Sequence, residues 1–201
     1  DLLEKYKGRF PEQVRKDAEK VLGARKRILD ISKRVLDGKI TGKKIRIHGD
    51  YHLGQLLFTG KDFLIIDFEG EPMRSPGERR LKYSALRDVA GILRSFHYAV
   101  YSALIQFTKV HPTDLENLQS YAELWYQHVS AVFFSAYREA AGDGGFLPEN
   151  NEQIAVLLNA FLIDKGIYEI IYELNNRPEW VSIPIRGILS ILSDARAPGR
   201  V

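Results

Sequence analysis

His48, Asp50, His52, Gln55 and Asp67 fall within twenty residues of one another. They are of the types that handle protons, phosphates and hard cations. The first four stand in His48-Gly49-Asp50-Tyr51-His52-Leu53-Gly54-Gln55, and the fifth opens Asp67-Phe68-Glu69-Gly70. Transfer of a phosphoryl group from a nucleotide to a hydroxyl asks for such a set. One carboxylate takes or orients the proton of the attacking hydroxyl. Another holds Mg2+ against the phosphates, because hard cations take oxygen ligands. The Gln55 amide adds a further oxygen. A competing use of His48, Asp50 and His52 is a zinc or iron site. That use needs another ligand nearby, and the remaining histidines, His97, His111 and His128, sit in helical patterns or at a helix break.

The elements around these residues follow from periodicity. Ile45-Arg46-Ile47-His48 alternates like a short strand and runs into Asp50. Leu56-Leu57-Phe58 and Phe63-Leu64-Ile65-Ile66 flank the turn-type Thr59-Gly60-Lys61-Asp62, which predicts a β-hairpin ending in Asp67. Two carboxylates seventeen residues apart are thereby brought to neighbouring strand ends. Upstream, residues 11 to 37 predict one long helix. Pro11 suits its first position, Val14, Val21, Ile28 and Val35 recur every seven residues, and Gly38 can stop it. Residues 71 to 85 read as irregular. Beyond them the pattern is helical. One helix runs from about 86 to 109, burying Val89, Ile92, Leu93, Phe96, Val100, Leu104 and Phe107, and His111-Pro112 breaks it. A second runs from an Asp114 cap to about 142, a third from 151 to 175, and a short fourth follows Pro184. The fold class is mainly α with a small β-hairpin element. Residues 1 to 44 lead in, 45 to 85 carry the catalytic loop, hairpin and metal loop, and 86 to 201 form a helical substrate-binding subdomain.

Composition narrows the function classes. The chain is 45% hydrophobic and 27% charged, with a net charge of +3. That is an ordinary globular balance and not a disordered one. It holds no cysteine, which excludes disulfides and thiolate metal sites. There is no long apolar run and no leader pattern, so no membrane partner is expected, and the location expected is cytoplasmic. Basic residues are richest in the first 46 positions but lack interleaved aromatic residues or a reading motif, so no nucleic-acid partner is expected.

The loop also fits a wider register. A kinase catalytic loop reads His-x-Asp, an Asn five positions on, a hairpin, and Asp-Phe-Gly. Here Gln55 replaces the Asn and Glu69 replaces the Gly. Longer strings go further: His48 to Gln55, Ile66-Asp67-Phe68-Glu69-Gly70-Glu71-Pro72, Glu78-Arg79-Arg80-Leu81-Lys82, Leu86-Arg87-Asp88-Val89-Ala90-Gly91, and Tyr168 through Trp180. Together they resemble the maltokinases, including those fused to trehalose synthase. The resemblance implies the C-terminal lobe of a protein-kinase-like, aminoglycoside-phosphotransferase-like fold. It implies ATP and Mg2+ as cofactors and maltose as acceptor, giving maltose 1-phosphate. In that scheme Asp50 is the catalytic base, Gln55 and Asp67 hold Mg2+, and His48 and His52 support them.

A second group stands on the third long helix. Lys165, Tyr168, Glu169, Tyr172, Glu173 and Asn176 fall at spacings of three, four and seven, with Arg177 and Trp180 following. Spacing alone leaves two readings: a sugar-binding stripe, or a solvent-facing helix side. The resemblance favours the sugar site. Asp88 has two structural uses, a helix cap or a hydrogen bond back to the catalytic loop.

Missing from the sequence are a glycine-rich phosphate cover and a lysine-bearing strand for the α- and β-phosphates. The expectation is that an N-terminal kinase lobe lies outside this chain, that the chain alone turns over weakly or not at all, and that a trehalose synthase is fused or associated. Competing readings are a phosphotransferase for another sugar or an aminoglycoside, and a non-catalytic kinase-like scaffold.

Overall fold

The computed structural model describes residues 2–71, 75–110 and 115–194. Three short helices open the chain: α1 Leu2–Tyr6, α2 Glu12–Gly23 and α3 Arg25–Lys33. The single helix expected over residues 11 to 37 is therefore broken. Ala24 leaves helical geometry at φ −86° and ψ 7°, beside Gly23, whose lack of a side chain makes it a weak helix former. The seven-residue stripe still works, because Val21 on α2 and Ile28 on α3 enter the same core.

The strand expected at residues 45 to 48 reduces to one antiparallel bridge between Ile45 and Tyr83. The Ile45 amide donates to the Tyr83 carbonyl at 2.9 Å and the Tyr83 amide to the Ile45 carbonyl at 3.0 Å. The hairpin is present as β1 Leu56–Phe58 and β2 Phe63–Ile65, with Leu56 opposite Ile65 and Phe58 opposite Phe63. Its turn is held by the Thr59 amide, which donates to the Asp62 carbonyl at 2.8 Å. The stretch read as irregular contains one turn of helix, α4 Pro76–Arg79, opened by a Ser75/Glu78 capping box. That signature, Ser-Pro-Gly-Glu, was visible in the sequence.

Four long helices follow among the described residues: α5 Leu86–Thr108, α6 Leu115–Ala141, α7 Asn151–Asn176 and α8 Ser182–Asp194. The break at His111-Pro112 and the Asp114 cap lie outside the described residues, as does Pro72. α7 is central, packing on α5 and on α8. One core joins Ala18, Val21, Ile28 and Ile31 of the leading helices to Ile163, Ile170, Ile185 and Ile188. A second gathers Leu86, Val89 and Leu93 of α5 with Phe134, Ile154 and Leu158. Burying each such side chain contributes about 1.5–3 kcal/mol. The expected buried face of α5 holds at Val89, Ile92, Leu93 and Leu104, but Phe107 is 48% exposed. There the end of α5 outruns the core and flanks an open apolar groove. Among the described residues no helix is long and apolar enough to cross a membrane.

Candidate active site

The loop between the Ile45 bridge and β1 is fixed from both sides. From α5, the Asp88 carboxylate accepts the backbone amides of His48 at 2.6 Å and Gly49 at 2.9 Å. Burial raises its pKa, against the pull of those two hydrogen bonds. Of the two uses read for Asp88, the geometry shows the bond back to the loop. From the hairpin side, His48 Nε2 lies 2.8 Å from the Ile66 carbonyl, while the Asp50 amide donates to His48 Nδ1 at 3.3 Å. A ring that accepts at Nδ1 carries its proton on Nε2 and donates to Ile66. His48 is 5% exposed and so serves as a clip between the loop and the strand end. Gly91 permits this closeness, since a Cβ there would meet the Tyr51 carbonyl oxygen at 2.6 Å.

Asp50 emerges from this frame half-buried. Its Oδ1 lies 3.5 Å from Lys165 Nζ on α7, and its Oδ2 lies 3.8 Å from His52 Nε2. Across the hairpin, Gln55 Nε2 donates to Asp67 Oδ2 at 3.0 Å. Asp67 stands at φ 63°, in the left-handed region. Few non-glycine residues accept that conformation, and strain of this kind concentrates at functional sites. Gln55 thus turns its amide nitrogen to Asp67; both residues carry an oxygen suited to Mg2+, and holding it together would require the Gln55 amide to turn its oxygen to that side. Among the described residues no three His, Asp or Glu side chains gather closely enough to hold a metal by themselves. A cation here therefore needs further oxygens, such as those of phosphates.

The stripe on α7 divides. Lys165 and Tyr168 face the cleft beside Asp50, which Asp164 and Arg87 also line. Glu169 and Glu173 turn towards α5. Arg94 donates to Glu169 Oε2 through Nε at 2.9 Å and Nη2 at 2.7 Å. Glu173, 1% exposed, accepts from Tyr98 at 3.1 Å and from Arg177 Nη2 at 2.7 Å. Both acids are thus engaged in structural ion pairs. Tyr172 is 45% exposed, with the Arg177 guanidinium 5.4 Å from its ring centre and 4.9 Å from that of Trp180. Asn176 donates to the Tyr172 carbonyl at 2.8 Å.

The site also contains Glu71, which the sequence reading passed over. It is 6% exposed, lies 3.8 Å from Lys165 Nζ, and accepts the Tyr168 hydroxyl. Burial first, then Glu71, pushes the Tyr168 hydroxyl up to about 12. The signals for Glu71 were its place four residues after Asp67 and its presence in the string Ile66 to Pro72. A larger groove of about 720 Å³ lies elsewhere, between α5 and α6, among Val100, Leu104, Phe107, Leu118 and Trp125. It is apolar and offers no carboxylate.

No family model matches the chain. A glucosamine kinase of Mycolicibacterium smegmatis (strain ATCC 700084 / mc(2)155) is 28% identical over 149 residues, which is 73% of this chain and 34% of that protein. A glucosamine kinase of Streptacidiphilus jiangxiensis is 24% identical over 152 residues, 75% of this chain and 32% of that protein. The chain therefore spans 34% and 32% of the lengths of these two relatives. Among solved structures, glucosamine kinase in crystal form B superposes with a TM-score of 0.76 at 22% identity, covering 96% of this chain and 44% of that one. Glucosamine kinase in complex with glucosamine, ADP and inorganic phosphate gives a TM-score of 0.70 at 22% identity, covering 95% and 42%. The sugar in these names is glucosamine and not the maltose that the motif strings imply. The helical arrangement with its small hairpin is thus a fold shared with part of glucosamine kinase.

Proposed function

We propose that this chain supplies the catalytic and metal-binding half of an ATP-dependent sugar kinase. The observation that carries the reading is the placement of Asp50. A loop pinned by Asp88 and His48 aims its carboxylate into a cleft, across from Lys165, and the same loop runs on to Gln55, which pairs with Asp67. In the reaction the acceptor oxygen bonds to the γ-phosphorus, the bond from that phosphorus to its bridging oxygen breaks, and ADP leaves. Asp50 takes the hydroxyl proton. Gln55 and Asp67 would hold Mg2+, which when bound offsets the charge of the phosphates. Lys165 orients the acceptor next to Asp50, and the Tyr168 ring covers an apolar sugar face.

The phosphate cover and the lysine for the α- and β-phosphates belong, in this reading, to a nucleotide-binding lobe outside this chain. The hairpin supports that. Leu57, Phe58, Phe63 and Leu64 are all 49–66% exposed, although a two-stranded hairpin needs packing for stability. For the acceptor, two observations point to different sugars. From Lys165 to Tyr172 the stripe runs about 10 Å along α7 and ends at the Arg177–Trp180 pair. That length suits two linked rings and, with the motif strings, supports maltose. The relatives' names support glucosamine. A maltose kinase would also bring a fused or associated trehalose synthase as partner, which the sequence upstream of Asp1 tests.

The test is an acceptor panel of maltose, glucosamine and an aminoglycoside, with the full-length protein and Mg-ATP. A higher kcat/KM for maltose is expected. A preference for glucosamine overturns the choice of sugar, a preference for the aminoglycoside overturns the sugar class, and no transfer to any acceptor supports the scaffold reading instead.

A further inference from the structure

Lys165 is held more loosely than Arg94 and Arg177. Arg94 and Arg177 close on their glutamates at 2.7 Å. Lys165 instead sits between two carboxylates, 3.5 Å from Asp50 and 3.8 Å from Glu71, and tight against neither. Its ammonium also lies 5.1 Å from the centre of the Tyr168 ring. Glu71 is the more buried of the two acids, with a side chain 8% exposed against 22% for Asp50. A desolvated carboxylate holds its partners more strongly than a solvated one. Its two neighbours named here, Lys165 and Tyr168, both stand on α7, while Glu71 itself ends the metal loop. It therefore joins the segment that carries Asp67 to the helix that faces the acceptor.

We propose that Glu71 is a positioning residue, which holds Lys165 back from a tight ion pair with Asp50 and so keeps the Asp50 carboxylate available to take the acceptor's proton. Without the Glu71 charge, Asp50 is the carboxylate that remains within 4 Å of Lys165 among the described residues, and Lys165 closes on it. The base is then occupied by an ion pair at the moment it is needed. The kinetic side of this proposal rests on the sugar-kinase reading; its structural side does not.

Two measurements on the full-length protein test it. The first is a crystal structure of Glu71→Gln, a nearly isosteric change that keeps an oxygen for Tyr168. Lys165 Nζ is expected to close from 3.5 Å to about 2.7–2.9 Å from an Asp50 oxygen, and an Nζ no nearer than in the wild type overturns the proposal. The second is kinetic. Glu71→Gln is expected to lower kcat by roughly 10- to 100-fold. Glu71→Asp, which keeps the charge, is expected to restore most of that loss. Adding Lys165→Met to Glu71→Gln is expected to raise kcat above the single variant while raising KM for the sugar. A purely structural role for Glu71 would make the two losses add, and that result overturns the proposal, as does a Glu71→Asp as slow as Glu71→Gln. Should the wild type phosphorylate no sugar, the proposed function falls, and the Lys165 position in Glu71→Gln still decides the role of Glu71.

Discussion

Asp67 and His97 show how single residues carry different burdens. Asp67 sits at φ 63°, a conformation that costs most side chains about 1–2 kcal/mol and glycine almost nothing. Asp67→Gly is therefore expected to melt at the same temperature or higher while losing phosphotransfer. Equal loss of stability and activity would assign Asp67 a folding role instead. His97 is 1% exposed and packs on the rings of Tyr101 and Tyr126, with its Nδ1 unpartnered. Burial, reinforced by Arg94 and Arg186, holds its pKa well below 6.5. In the unfolded chain it binds a proton near the ordinary value, so below that pH the unfolded state takes up more protons. Its contribution to stability is full above the ordinary value and is lost as pH falls, by about 1.4 kcal/mol per unit. Denaturation from about pH 7 to about pH 5 should weaken the wild type more than His97→Phe; equal slopes would count against this. The pairing of Gln55 with Asp67 was legible because it lies in local spacing. That of Glu71 was not, because its partners stand far along the chain on α7.

At the scale of elements, α5 and α7 form the frame. Arg94 and Glu169 join them through side chains 2% and 11% exposed. Removing one member of such a pair leaves a buried charge uncompensated and costs about 3–5 kcal/mol. Arg94→Met is expected to show that loss in urea denaturation, and adding Glu169→Leu to restore much of it. A single variant as stable as the wild type would contradict the account. These pairs also explain a limit of the sequence. Helical spacing put Glu169 and Glu173 on one stripe with Lys165 and Tyr168, yet spacing does not say which flank of the stripe meets a neighbour. Arg94 and Tyr98 take the two glutamates, and the cleft keeps the other two residues. The long helices and the hairpin register were legible from period alone. The break at Ala24 was not, because the apolar stripe continues across it. The reduction of the 45–48 strand to a bridge was not either, because a strand needs a partner and, among the described residues, only Tyr83 pairs with it.

At the scale of the molecule, the proposed function makes the described residues half of an active site. In that proposal they would supply a carboxylate base, two ligands for a cation and a stripe for an acceptor, and the hairpin leaves apolar side chains uncovered. The chain alone is accordingly expected to turn over far more slowly than the full-length protein under the same Mg-ATP and sugar. Equal rates would place the nucleotide machinery within these residues. The central claim is that Asp50 accepts the proton of a sugar hydroxyl as phosphate is transferred to it. The most direct measurement follows labelled γ-phosphate from ATP into sugar phosphate, in the full-length wild type and in Asp50→Asn of matched melting temperature. The account predicts transfer by the wild type and a rate lower by roughly 10²- to 10⁴-fold in Asp50→Asn. Transfer retained in full by Asp50→Asn would contradict it.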